Sequence, residues 1–133
     1  EWSARLFPWL FALGSSVLVY LLAQCLTHNR WVALLAMFFV ALSPIQLYYA
    51  RLVAPHHLST FFSLLAFYFY WQWFTSQRSI YLASMLGALI MGVYADWVAY
   101  FAFAPLIAHY LIFWPTERNW RLASNIKSTI NKV

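Results

Sequence analysis

The stretch LFPWLFALGSSVLVYLLAQCL, residues 6–26, contains no charged side chain. About 20 predominantly apolar residues are enough for a helix to cross the hydrocarbon core of a bilayer. The run is far longer than the roughly ten residues of a membrane-spanning barrel strand, and polar residues do not alternate with apolar ones. It therefore predicts a membrane-spanning helix, with Pro8 in the first turn, where a missing backbone N–H costs little.

Further apolar runs follow, separated by short polar breaks. Residues 80–114 are too long for one span, so we divide them at Asp96, the charged residue inside the run. Pro44 and Pro105 lie within runs and predict helix kinks. The sequence thus predicts an all-α, polytopic transmembrane helical bundle. Its membrane core covers residues 1–115, with about five spans: 6–26, 31–50, 58–74, 80–95 and 97–114.

The composition excludes a soluble globular domain. Hydrophobic residues make up 65% of the chain and charged residues 8%, against about a quarter charged in soluble domains. The net charge is +5, but the basic residues are scattered singly and form no patch for nucleic acid. We therefore expect membrane lipids, and no nucleic acid, as partners.

The distribution of basic residues predicts the orientation of the spans. With five crossings, Arg5 and Arg51 lie on one side of the membrane, and a larger number of basic residues lies on the other side. The side richer in Lys and Arg is cytoplasmic, which places residues 51–57 and Asp96 outside and the C-terminus inside a multi-pass protein of the plasma or inner membrane. Residues 116–133 are then a basic cytoplasmic tail or an interfacial helix, with a solvated linker as the alternative. The six basic residues on the inner side are Arg30, Arg78, Arg118, Arg121, Lys127 and Lys132.

The candidate site lies in SPIQLYYARLVAPHHLS, residues 43–59. Arg51 carries a planar donor fork suited to phosphate. His56 and His57 follow Pro55 at the start of the third predicted span, where free N–H groups favour an anion. These residues predict a site for a lipid-linked phosphate. The alternative is that they are interfacial residues that cap the helix and snorkel; His57 points away from His56 on a helix and is expected to be the bystander.

Asp96 allows several interpretations. It is a turn residue between two spans, or a carboxylate that orders a sugar hydroxyl or pairs with Arg51. The two histidines together with Asp96 would suit a divalent metal, but adjacent histidines on a helix rarely aim at one ion. We therefore expect no metal site and no cofactor. The motifs of common soluble enzymes, such as the dinucleotide-binding and P-loop glycine patterns, are absent from the sequence.

Several segments together resemble a known family. Glu1-Trp2-Ser3-Ala4-Arg5-Leu6 precedes the first run, Ser43-Pro44 and then Tyr48-Tyr49-Ala50-Arg51 end the second, and Ala54-Pro55-His56-His57-Leu58 begins the third. In this order the chain resembles the membrane core of the GT-C glycosyltransferases. The group it is most similar to includes the dolichyl-phosphate-mannose–protein mannosyltransferases and the aminoarabinose transferases.

The resemblance implies a membrane glycosyltransferase that transfers a sugar from a polyprenyl-phosphate donor to an acceptor on the outer face. It implies that the donor cavity is lined by candidates among Tyr49, Arg51, His56, His57 and Asp96. It also implies that the catalytic acid lies upstream of residue 1, so that this chain holds no catalytic residue and is inactive without the remaining spans. The runner-up is a non-catalytic multi-span transporter or scaffold subunit.

Overall fold

The computed structural model describes residues 2–44, 48 and 56–113, and every regular element in these ranges is helical. The chain divides into two compact units, Glu1–Ala102 and Phe103–Val133. The first unit contains α1 (Trp2–Thr27), α2 (Arg30–Ala41), α3 (His56–Ser76) and α4 (Ser79–Ala95). A single turn of 3-10 helix, Trp97–Ala99, follows α4 and leads into helical residues 100–113. The predicted all-α class is confirmed.

The membrane-spanning potential of the helices differs. In α1, the segment Leu6–Thr27 is long and apolar enough to cross a membrane. Among the helices of the described ranges, it is the only one that meets both criteria. Arg30–Ala41, Ser79–Ala95 and Trp97–Phe113 are apolar but shorter. The bundle of about five spans therefore stays a prediction, as do the domain limits at residues 115 and 116.

The expectation for Pro8 is wrong, and the structure interrupts the helix close to Pro44. α2 ends at Ala41 and is capped by Leu42; a residue before proline is disfavoured in the helical region, so a helix tends to end there. The limits of the span 31–50 stay a prediction, because residues 45–47 and 49–55 lie outside the described residues. Pro8 lies inside α1 and not in its first turn, because the helix begins at Trp2. Helical residues flank Pro105 on both sides, and the kink there stays a prediction.

The turns that join α1 to α2 and α3 to α4 have the same form. His28 and Gln77 take left-handed backbone conformations, with φ of 51° and 56°. Each is followed by an extended residue, Asn29 or Arg78. Asn29 caps α2 by accepting a hydrogen bond from the Trp31 N–H at 3.0 Å. Both connections are thus tight turns between consecutive helices, closed without glycine.

Small residues form the core of the first unit. Side chains with no exposed surface belong to alanine and serine, while large apolar side chains such as Phe39 and Ile90 are 71% and 69% exposed. Helices that associate in lipid pack through small residues and turn large apolar side chains outward. The distribution is the one expected for helices in a bilayer. The fully buried residues are Ser15, Ala33, Ser59, Ala66 and Ala99.

Aromatic packing joins α1 to α3. The rings of Phe11 and Phe61 meet edge to face with centroids 5.3 Å apart, a favoured geometry for aromatic pairs. Phe61 also meets Phe62 edge to face at 5.5 Å. Gly14 lies beneath this cluster, with no side chain to displace the Phe61 ring. The contact holds the first half of α3 against α1.

Candidate ligand-binding site

A side-chain contact joins the beginning of α3 to the end of α4. Nδ1 of His56, the first residue of α3, contacts Oδ2 of Asp96, the residue that follows α4. The imidazole is 38% exposed and the Asp96 side chain 7%. The site therefore consists of a nearly buried carboxylate behind a partly accessible imidazole.

Asp96 is the point at which the helical backbone breaks. It is extended, with φ −162° and ψ 147°. Its N–H donates to the Gly92 carbonyl at 3.0 Å, and its own carbonyl accepts from the Ala99 N–H at 3.2 Å. This interruption of the helix lies at Asp96, where the sequence predicts that the apolar run 80–114 divides. Asp96 is thus a junction residue, as the turn interpretation expects, and its side chain also has a specific partner.

Small residues bring the break close to α3. A Cβ added to Gly92 would lie 3.2 Å from the Ala99 Cβ, 3.4 Å from the Phe62 Cβ and 3.8 Å from the Ser59 carbonyl oxygen. Ala99 is fully buried. A larger residue at either position would separate the break from α3. This close approach explains why the Asp96 carboxylate reaches His56 and why water has little access to it.

His57 is buried at the start of α3. It is 3% exposed, and Ser59 on the same stretch of α3 is fully buried. His56 and His57 do point in different directions, as expected for adjacent residues of a helix, but it is His57 that lies inside the packing. The polar interior at this end of α3 is therefore formed by His57 and Ser59, and His56 forms its accessible edge.

The remaining candidates fall outside the described residues. These are Tyr49 and Arg51, together with the predicted pairing of Arg51 with Asp96. In the described ranges, no three histidine, cysteine or acidic residues come close enough to hold a metal ion. The sequence grouped His56 with Asp96 only as possible metal ligands and did not predict a direct contact between the two side chains. The available signal was that one residue begins a helix and the other ends the next, so that an antiparallel hairpin brings them to the same end.

Comparisons with known proteins identify the family. A model of the dolichyl-phosphate-mannose-protein mannosyltransferase family matches residues 1–131. The chain belongs to this family of GT-C-type membrane glycosyltransferases, as the resemblance predicts.

One relative is an uncharacterized protein of Aquifex aeolicus (strain VF5), 33% identical over 97 residues. The match covers 69% of this chain and 19% of that protein. The chain thus spans about a fifth of the length of this relative. No solved structure matches the chain.

Proposed function

We propose that this chain is part of a glycosyltransferase that takes its sugar from a polyprenyl-phosphate donor, and that residues 49–57 and Asp96 contribute to the donor cavity. The family supports the reaction class. The observation that carries the location is the His56–Asp96 pair, which places a partly exposed imidazole directly after the segment that contains Arg51.

The chemistry of these side chains suits a lipid-linked phosphate. Arg51 offers a permanent positive charge and a planar set of donors. His56 offers a ring nitrogen five residues further along the chain, at the first residue of a helix whose N-terminal amides favour negative charge. In sugar transfer the lipid phosphate leaves with increasing negative charge, which cationic donors stabilise. We assign these two residues to that role, and the carboxylate base that takes the proton of the acceptor hydroxyl to a part of the full-length protein outside this chain.

The exposed aromatic residues around Asp96 support a position at a membrane–water interface. Tyr94, Trp97, Tyr100 and Phe101 are 60% to 90% exposed. Tyrosine and tryptophan concentrate at the headgroup level of membranes. Together with the predicted orientation, this supports a site at the outer surface, where a polyprenyl-phosphate headgroup would lie. The C-terminal residues 116–133 are then cytoplasmic.

Reconstitution of the full-length protein tests the reaction. Purified protein in liposomes is given radiolabelled polyprenyl-phosphate mannose and a membrane fraction as the source of acceptor. We expect label to move from the lipid-extractable donor into product only with active protein. If the donor is neither bound nor consumed, while the protein is folded and inserted, the proposed function is wrong and the transporter or scaffold alternative takes its place.

A further inference from the structure

The turn between α1 and α2 follows directly on the segment that can cross a membrane. Leu6–Thr27 is long and apolar enough to span a bilayer, and the turn begins at His28, the next residue. In a membrane glycosyltransferase, residues 28–31 therefore lie where the chain leaves the hydrocarbon core and meets the lipid headgroups. The backbone of His28 is left-handed, with φ of 51°, so the chain reverses there and α2 begins at Arg30.

Local hydrogen bonds give this turn a defined shape. The Thr27 hydroxyl donates to the Ala23 carbonyl at 2.7 Å and accepts from the Asn29 N–H at 3.3 Å. The Asn29 side chain accepts from the Trp31 N–H at 3.0 Å. The turn is therefore ordered before any ligand arrives, which reduces the entropy lost on binding.

Three other side chains of the turn are exposed and take no part in this support. They belong to His28, Arg30 and Trp31, and Trp31 is 77% exposed. Within the ranges that the structure describes, none of the three side chains makes a hydrogen bond or an ion pair. Imidazole, guanidinium and indole all carry N–H donors. Four consecutive residues thus present three donor groups to the surroundings.

The turn between α3 and α4 has the same backbone form but different side chains. Gln77 takes the left-handed position there, and its side-chain amide donates to a carbonyl of α3 at 3.0 Å. Three residues after the left-handed position this turn has Ile80, where the first turn has Trp31. The backbone form therefore does not require the histidine or the tryptophan of the first turn.

The positive charge of Arg30 is not explained by the helix that it begins. A cation near the beginning of a helix is unfavourable, and the first turn of α2 contains no acidic residue. Asp96 is the only acidic residue within the described ranges, and its carboxylate contacts His56. No described side chain therefore balances the charge of Arg30.

We propose that residues 28–31 form a binding surface for the phosphate group of an anionic phospholipid. Arg30 pairs with the phosphate through its planar set of donors, and His28 adds a further N–H. The Trp31 ring lies among the headgroups, where tryptophan concentrates. In the predicted orientation this surface meets the cytoplasmic leaflet, whose anionic lipids attract basic segments. The proposal does not depend on the proposed sugar transfer.

Lipid titration of the full-length protein tests this surface. Purified protein in detergent is titrated with phosphatidylglycerol, or with phosphatidylcholine of the same acyl chains, and native mass spectrometry records the bound lipid. We expect tighter binding of phosphatidylglycerol. Arg30→Gln should weaken that binding about fivefold, the effect of one basic residue near an anionic membrane surface, and should leave phosphatidylcholine binding unchanged.

Arg78→Gln is the matched control, because Arg78 lies in the turn of the same form that lacks an exposed tryptophan. It should weaken phosphatidylglycerol binding less than Arg30→Gln does. Trp31→Ile introduces the residue of the second turn and should also weaken the binding. If Arg30→Gln does not fold, Trp31→Ile decides by itself.

Three results would overturn the proposal. Equal affinity for the two lipids would mean that the protein makes only apolar lipid contacts. Equal losses in Arg30→Gln and Arg78→Gln would mean general charge attraction and no surface specific to residues 28–31. Displacement of bound phosphatidylglycerol by inorganic phosphate would mean a site for a free anion and not for a membrane lipid.

Discussion

Phe61 occupies the space into which a side chain on Gly14 would project: a Cβ at Gly14 would lie 2.7 Å from Cε2 of the ring. The ring cannot simply swing away, because it packs edge to face against both Phe11 and Phe62. The absence of a side chain at Gly14 is therefore a condition for the α1–α3 contact. That contact in turn fixes the first half of α3, which carries His56 at its start.

Gly14→Ala should destabilise the protein by about 1–3 kcal/mol, the usual cost of overpacking a well-packed contact. Gly87→Ala is the matched control, because a Cβ at Gly87 in α4 meets nothing within 4 Å. There the gain in helix propensity should stabilise the protein by about 0.5–1 kcal/mol. Thermal unfolding of the full-length protein in detergent measures both. Equal effects of the two substitutions would contradict the close α1–α3 packing.

A second pair of variants tests the contact beside the candidate site. Gly92→Ala should lower the unfolding temperature, because the new Cβ would lie 3.2 Å from the Ala99 Cβ. The loss should be smaller than for Gly14→Ala, since a shift of a few tenths of an ångström relieves it. Adding Ala99→Gly removes the opposing methyl group and should recover part of the stability. If the loss of stability in the double variant equals the sum of the losses in the two single variants, direct contact at this position is contradicted.

The His56–Asp96 pair should show energetic coupling. His56→Ala, Asp96→Ala and the double variant form a thermodynamic cycle, again followed by unfolding in detergent. We expect a coupling of about 0.5–3 kcal/mol, the range found for residues in contact, because the two side chains contact each other. Additive effects within about 0.3–0.5 kcal/mol would mean that the contact does not stabilise the fold.

Labelling of introduced cysteines tests the predicted orientation. Cys25 is the only cysteine in this sequence, so Cys25→Ser, together with serine at any cysteine elsewhere in the full-length protein, provides a background without thiols. Tyr94, 90% exposed beside the break at Asp96, is replaced by cysteine in one variant, and the exposed His28 in another. A membrane-impermeant maleimide should label the Tyr94→Cys protein in intact cells, and the His28→Cys protein only after permeabilisation. The reverse pattern would place the candidate site on the cytoplasmic side.

The sequence was sufficient for the helices and for the break at Asp96, because a single charged residue in a run too long for one span is a strong local signal. It was not sufficient for the end of α2. Hydrophobicity continues past Ala41, and the effect of Pro44 on the preceding backbone decides the boundary. Nor did it predict the burial of His57, since which face of α3 turns inward depends on neighbours distant in sequence.

The contact between His56 and Asp96 could not be derived from local pattern alone. His56 begins α3 and Asp96 follows α4, so the hairpin brings them to the same end, but their contact also depends on Gly92 and Ala99 allowing the break to approach α3. Composition marks both residues as unusual in an apolar chain. Only the packing of small residues determines that they meet.

Arg51 is the residue assigned to the donor phosphate, and the proposed donor cavity depends most on it. Sugar transfer from polyprenyl-phosphate mannose should be measured for the full-length protein with Arg51→Ala, and with Arg78→Ala as the control. Arg78 is exposed, and its side chain makes no capping hydrogen bond at the start of α4.

We predict that Arg51→Ala lowers kcat/KM by about a hundredfold or more, as for loss of a donor to developing negative charge, while insertion and abundance are unchanged and Arg78→Ala retains transfer. Unchanged transfer by Arg51→Ala would contradict the assignment and return Arg51 to the role of an interfacial loop residue.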